Sequence, residues 1–175
     1  MGNFILGLLL ALGPQTLYSL NKQFQAGPSL FYSASFGGLQ SALRALVAAG
    51  HVTVTELTEG GRNKRVHAIT DAGVAAFHAW IRSPLDGDLE VAALARLFHL
   101  GLVDAADRPG IFAGIIGAIE AQLTGLRQLR AGIEAQVGTI PPEARDIMRY
   151  QVATLDYGIT AHEAGLAWFR AISAP

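Results

Sequence analysis

The 175-residue sequence predicts a mainly α-helical protein with one small β-hairpin. Three observations carry that expectation. Leu39, Leu43, Leu46 and Val47 recur at helical spacing, and Gly50 supplies a stop. Two alternating stretches follow, with Val52, Val54 and Leu57 apolar before Gly60-Gly61 and Val66 and Ile69 after it. The C-terminal half then repeats apolar residues by threes and fours over two long segments. A short helix directly before a hairpin with Arg62, Lys64 and Arg65 at its tip or return strand is the layout of a winged helix-turn-helix.

Residues 4–12 form an apolar run that is too short to cross a bilayer. It lacks a basic flank and ends at Gly13-Pro14 instead of a small-residue cleavage site. It reads as a buried first helix over 3–12, so neither a targeting segment nor a membrane is expected and the chain is placed in the cytoplasm. A second helix is expected over 14–25, with Leu17, Tyr18, Leu20 and Phe24 as its apolar stripe, and a turn at Ala26-Gly27-Pro28. Serines in 31–35 can cap the helix over 35–49. Thr70 is placed to cap another running to Arg82, with Val74, Phe77, Trp80 and Ile81 on its apolar side.

The segment 83–89, with Pro84, Gly87 and two aspartates, marks the expected boundary between an N-terminal domain over 1–83 and a helical domain over 84–175. In the second domain one helix is expected over 90–103, with Leu94, Leu97, Phe98 and Leu102 along a face. The next, over 109–137, carries Ile115, Ile119, Gln122, Leu126, Leu129 and Ile133. After the break at Ile140-Pro141-Pro142 a third carries Met148, Val152, Leu155, Ile159, His162, Leu166 and Phe169. Two seams of this kind imply helix-on-helix association, closing within one chain or between two. The dimerisation candidates are Ile115, Ile119, Leu126, Leu129, Ile133, Leu155, Ile159, His162, Leu166 and Phe169. Gly114, Gly117, Gly125 and Gly132 each cost a helix roughly 1 kcal/mol relative to Ala. They mark either a weakly helical stretch or the close approach of two backbones.

Charge separates the two halves. Residues 1–83 hold six Lys or Arg against three acids, a net of +3, whereas residues 84–175 hold seven against eleven, a net of −4. The basic half is the half with the helix and hairpin, as phosphate neutralisation requires. On the helix over 35–49, Gln40, Ser41 and Arg44 share the polar face with Gly37. Gln pairs with adenine and Arg with guanine in a major groove, and either can hold a phosphate. Arg62, Lys64 and Arg65 would hold the DNA backbone or enter the minor groove, with Lys22 and Gln15 as further phosphate contacts. The alternative for each is a solvated surface.

Enzyme chemistry finds no support. The absence of cysteine excludes disulfides, thiolate metal sites and cysteine nucleophiles. His162-Glu163 begins a zinc-protease motif, but Leu166 stands where its second histidine belongs. His51, His67, His78 and His99 show no ligand spacing, and there is no nucleophile elbow or phosphate loop. Neither a metal nor a cofactor is expected.

Three groups of residues resemble the PadR family of transcriptional regulators. Gly13-Pro14 followed by Tyr18-Ser19-Leu20 resembles the family's Gly-Pro and His-Gly-Tyr-Glu-Leu segment, with Thr16, Leu17 and Ser19 replacing its His, Gly and Glu. Ser35, Gly37, Leu39, Ala42-Leu43, Leu46, Gly50 and Val52 match the recognition-helix pattern. Residues 61–65, with His67, Ile69-Thr70 and Gly73, resemble the wing, Asn63 standing for the usual proline and His67 for a tyrosine. The resemblance covers 4–82, and the C-terminal part has the length and helical character of the longer subfamily. Gly38 and Gln40 replace the family's serine and tyrosine, so its contacts there do not transfer.

The resemblance implies a sequence-specific, double-stranded-DNA-binding regulator, a homodimeric repressor released by a ligand. It adds Ser35 to the DNA-contacting set. It also offers Trp80, Phe98, Tyr150, Tyr157 and Trp168 as the lining of a pocket for a small aromatic effector, with core packing as the alternative role. The competing function is a winged-helix module that binds protein and reads no DNA sequence.

Overall fold

The computed structural model describes residues 1–59, 62–136, 138 and 140–174, with the backbone alone at Glu59 and Arg62. Gly60-Gly61, expected as the hairpin tip, and Val137, expected as a helix end, lie outside the described residues. The chain divides into two compact units, 1–108 and 109–175. This differs from the boundary expected at 83/84, because residues 84–108 pack with the first unit.

In the first unit, α1 (Gly2–Leu12) is apolar round most of its circumference, and such a helix is stable only when surrounded. Phe4, Ile5, Leu6, Leu8 and Leu9 are all buried. Around it pack α3 (Phe36–Ala48), α4 (Asp71–Arg82) and β3 (Arg62–Ile69). Phe4 is the hub of an aromatic cluster, its ring centroid 5.6 Å from Phe24, 5.2 Å from Tyr32 and 4.5 Å from His99.

The helix expected from Pro14 begins three residues later. Gln15 and Thr16 form β1, paired antiparallel with His67 and Val66 of β3. Thr16 then caps α2 (Leu17–Ala26), its hydroxyl accepting from the Ser19 N–H at 3.1 Å. Leu20 and Phe24 are buried as expected, but Tyr18, assigned to the same stripe, is 75% exposed.

Ser35 caps α3 by accepting from the Gly38 N–H at 3.0 Å, and Leu39, Leu43 and Leu46 turn into the core. The helix stops at Gly50, whose φ of 73° suits a residue without Cβ, and the His51 N–H closes back on the Leu46 carbonyl at 2.9 Å. β2 (Val52–Glu59) pairs with β3 from Val52 opposite Ile69 out to Glu59 opposite Arg62, giving the sheet order β1-β3-β2. Val52 is buried. Leu57, read with the apolar set, is exposed because it lies on the distal half of the hairpin.

Thr70 caps α4 through the Gly73 N–H at 3.1 Å, as its position predicts. The helix expected over 90–103 is instead split into α5 (Leu89–Phe98) and a 3-10 turn at Leu100–Leu102. Its buried face is also not the leucine face. Ala92, Ala93, Ala95, Arg96 and His99 are inside, and Phe98 is exposed. Small alanines let α5 lie close, and His99 fills the space beside Phe4, Phe77 and Trp80. Gly7 makes room for that ring, since a Cβ there would come within 2.6 Å of it.

In the second unit, α6 (Arg108–Gln136) and α7 (Arg145–Ser173) are joined through a 3-10 turn at Pro142–Ala144. Three ion pairs link them in antiparallel order: Glu120 with Arg170 at 2.5 Å, Arg127 with Glu163 at 2.6 Å, and Arg130 with Asp156 at 2.8 Å. α6 is long and apolar enough to span a membrane by length and composition. Glu120, Arg127 and Arg130 interrupt it, each paired with a residue of α7, and its buried residues are Ile111, Ile115, Ile119 and Leu123.

Two measurements check this packing. Burial lowers the His99 pKa from 6.5 to about 4, against the opposing effect of a hydrogen bond with the Phe4 backbone. Between those values the unfolded chain binds a proton that the folded chain refuses, so acid favours unfolding. Stability should fall by about 3 kcal/mol from pH 6.5 to below pH 4 on this account, and His99→Gln should flatten that slope in denaturant titrations across pH. Gly73 lies so close to the His51 carbonyl that a Cβ would sit 2.2 Å from its oxygen. Gly73→Ala should therefore cost about 1–3 kcal/mol, despite the usual helix preference for Ala, as read from the urea midpoint.

Candidate nucleic-acid interface

The pairing of β1 with β3 decides the geometry of the candidate site. It holds the start of α2 beside the wing, while the buried Leu39, Leu43 and Leu46 leave Gln40 and Arg44 on the side of α3 that faces the same space. The result is a concavity of about 600 Å³. Its walls include Tyr18 from α2, Gln40 and Arg44 from α3, and Asn63, Lys64, Arg65 and His67 from β3.

Its electrostatics are one-sided, since no carboxylate occurs among its described lining residues. Arg44 has no ion-pair partner among the described residues. Arg65 lies 3.4 Å from Glu56, its cross-strand neighbour, but both are well exposed and such a pair holds weakly. The His67 pKa is lowered, first by burial and then by the Arg65 charge, against a hydrogen-bonding contact with the Gln15 carbonyl at 3.3 Å. His67 is therefore a neutral wall at pH 7. A surface of this kind, cationic with amide edges between the cations, suits a polyanion that also presents hydrogen-bonding groups.

Of the residues expected here, Gln40, Arg44, Lys64 and Arg65 come together. Ser35 has its hydroxyl engaged in capping α3. Ser41 and Lys22 are exposed but do not line the concavity, and the Arg62 side chain lies outside the described residues. Tyr18, Asn63 and His67 are additions. The phase of a helix counted from Pro14 hides Tyr18, and its actual place depends on a strand contact that no local pattern announces.

Among the dimerisation candidates, Ile115, Ile119, Leu166 and Phe169 are buried. Leu126, Ile133, Leu155, Ile159 and His162 are partly buried, and Leu129 is exposed. The His162 Nδ1 sits 2.7 Å from the Gly158 carbonyl, the position of a satisfied hydrogen bond. A Cβ on Gly114, Gly117, Gly125 or Gly132 would meet nothing within 4 Å, so among the described residues no other backbone element approaches them closely.

The five aromatics proposed for an effector pocket divide between the two units. Trp80 and Phe98 belong to the cluster round His99, while Tyr150, Tyr157 and Trp168 are exposed on α7. Trp80 does line a cavity of about 420 Å³ with Phe4, Tyr32 and Arg96. That arginine is 3% exposed, stacks on Trp80 at 4.9 Å and donates to the Pro84 carbonyl at 3.0 Å. Among the described residues no group of three His, Asp or Glu is placed to hold a metal.

No family profile matches the chain. By sequence it is 27% identical over 165 residues to a protein of Mycobacterium tuberculosis described as a "probable transcriptional regulator", covering 86% of this chain and 84% of that one. Among solved structures it is similar to Bacillus subtilis PadR in complex with operator DNA, at 19% identity over 98% of this chain and 96% of that one, with a TM-score of 0.45. The same protein in complex with p-coumaric acid matches at 17% identity over 98% and 93%, with a TM-score of 0.41. A PadR-like transcriptional regulator from Bacillus cereus matches at 22% identity over 98% and 93%, with a TM-score of 0.43.

Proposed function

We propose that this protein is a PadR-like, sequence-specific DNA-binding transcriptional regulator that acts as a homodimeric repressor released by a small ligand. The observation that carries the DNA-binding part is the concavity between α3 and the wing, where Gln40, Arg44, Lys64 and Arg65 meet with no described carboxylate in the lining. In this reading α3 enters the major groove, with Gln40 and Arg44 at base edges or phosphates. β3 lies along the backbone, where Lys64 and Arg65 displace counterions. Domain roles follow the same division, with DNA reading in the N-terminal unit and self-association in the helical hairpin. Pairing supplies the second half-site that a single small winged helix needs.

The effector part of the proposal narrows to the cavity beside Trp80. A small aromatic molecule suits it, because Phe4, Tyr32 and Trp80 line it beside the buried Arg96, with Asp86 and Asp88 also in the lining. Phe98, Tyr150, Tyr157 and Trp168 keep packing or surface roles in this version.

Genomic fragments selected on the purified protein and titrated against salt test the DNA reading. A steep negative dependence of log affinity on log salt is expected. Lys64→Ala should weaken binding to all sequences and flatten the slope by about one. Arg44→Ala should cost about 1–3 kcal/mol on the best fragment and relax its selectivity. Absence of selectivity, with affinity indifferent to Lys64→Glu and Arg65→Glu, would leave the winged helix as a protein-interaction module. For the effector, 4-hydroxybenzoate should change tryptophan fluorescence and lose that effect in Trp80→Phe, whereas an unchanged response in the variant moves the ligand elsewhere.

A further inference from the structure

The second unit holds a cavity that no role described above uses. Away from the turn that joins α6 to α7, Ile115, Ile119 and Leu123 of α6 and Leu166 and Phe169 of α7 are buried. Toward the turn the apolar residues are only half-buried, and a cavity of about 680 Å³ opens there. Ile133, Ile140, Met148 and Val152 supply its apolar lining, and none of its described lining residues is aromatic.

Charge singles out the same place. Residues 109–175 carry five arginines and no lysine. Arg127 and Arg170 are paired with carboxylates of the opposite helix. Arg130, in the cavity wall, takes both carboxylates that line it, Asp156 at 2.8 Å and Glu134 at 3.6 Å. The two remaining arginines, Arg145 and Arg149, have no carboxylate partner among the described residues, and both line the cavity. They stand four residues apart on α7, so they share one side of the helix.

We propose that this cavity binds an aliphatic carboxylate of medium chain length, its head group held by Arg145 and Arg149 and its chain laid along Ile133, Ile140, Met148 and Val152. An inorganic anion would leave the apolar lining wet, and a neutral hydrocarbon would leave both guanidiniums without a partner. A carboxylate on an alkyl chain meets both demands, since a guanidinium can donate two parallel N–H bonds to it. Met148 has the flexible side chain that adapts to an unbranched tail, and the volume is ordinary for a small-molecule site. The lack of an aromatic wall separates this ligand from the aromatic molecule proposed for the cavity beside Trp80. The site lies wholly within the second unit and rests neither on the DNA reading nor on that effector.

Met1 and Met148 are the only methionines in the chain, and each lines a different cavity. In full-length protein isotope-labelled at the methionine methyl groups, sodium decanoate should move the Met148 signal saturably and leave Met1 in place. Loss of a signal in Met148→Leu assigns it. Combining Arg145→Gln with Arg149→Gln should weaken decanoate about tenfold or more, and 1-decanol should bind the wild type no better than decanoate binds that variant. Octanoate should bind roughly tenfold more weakly than decanoate, because each buried methylene is worth about fourfold. Val152→Asp should abolish the shift, with circular dichroism as the check that α7 still forms. A Met148 signal that ignores decanoate, or a shift that survives loss of both arginines, would overturn the proposal. Movement of Met1 alone would give decanoate to the other cavity and overturn it too. Cosedimentation with phosphatidylglycerol vesicles that disappears with the two arginines would make the site a membrane contact instead of one for a free acid. A wild-type dimer that Val152→Asp dissociates, with no decanoate bound, would assign the apolar lining to a second copy.

Discussion

Burial of α1 is the constraint on which the first unit depends. A helix with Phe4, Ile5, Leu6, Leu8 and Leu9 inside cannot stand in water, and the elements that cover it include those that form the candidate interface. α3 and β3 pack against it, Leu46 reaching Gly2, and His99 closes the end near Phe4. The Gly7 and His99 contact shows how tight that closure is, because it tolerates no Cβ. α3 and the hairpin are therefore positioned by a core laid down mostly by residues outside the candidate interface.

The same economy governs charge. In the first unit Arg44, Lys64 and Arg65 line one concavity, while Arg96 is turned inward onto Trp80 and main-chain carbonyls. In the second unit Glu120, Arg127 and Arg130 on α6 pair with Arg170, Glu163 and Asp156 on α7. Exposed pairs of this kind contribute little stability individually. Their greater effect is directional, since three in antiparallel register set which side of α7 faces α6 and which side is left for another surface.

Much of this was legible in the sequence. The N-caps at Ser35 and Thr70, the stop at Gly50, the hairpin over 52–69 and the two long helices follow from local chemistry, because a cap or helical period involves residues within a turn of each other. Gln40, Arg44, Lys64 and Arg65 were legible too, as polar residues on a helix whose other face is leucine and on the hairpin that follows it. The misses share a cause. β1 forms because Gln15 and Thr16 meet His67 and Val66 some fifty residues away, and that contact delays α2 and turns Tyr18 outward. In α5 the alanine face is buried instead of the leucine face, because small side chains let the helix lie close to the rest of the first unit.

The helical and hairpin elements, their order, the basic character of the half carrying the hairpin and the absence of any cysteine chemistry can all be read from the amino-acid sequence alone. These depend on neighbours along the chain or on composition. Three features emerge only when the chain is folded: Tyr18 and His67 join the candidate interface, 84–108 belongs with the first unit, and Tyr150, Tyr157 and Trp168 of α7 are left exposed. Each of those depends on which surfaces meet across long stretches of chain, and periodicity can reveal an apolar stripe without naming its partner.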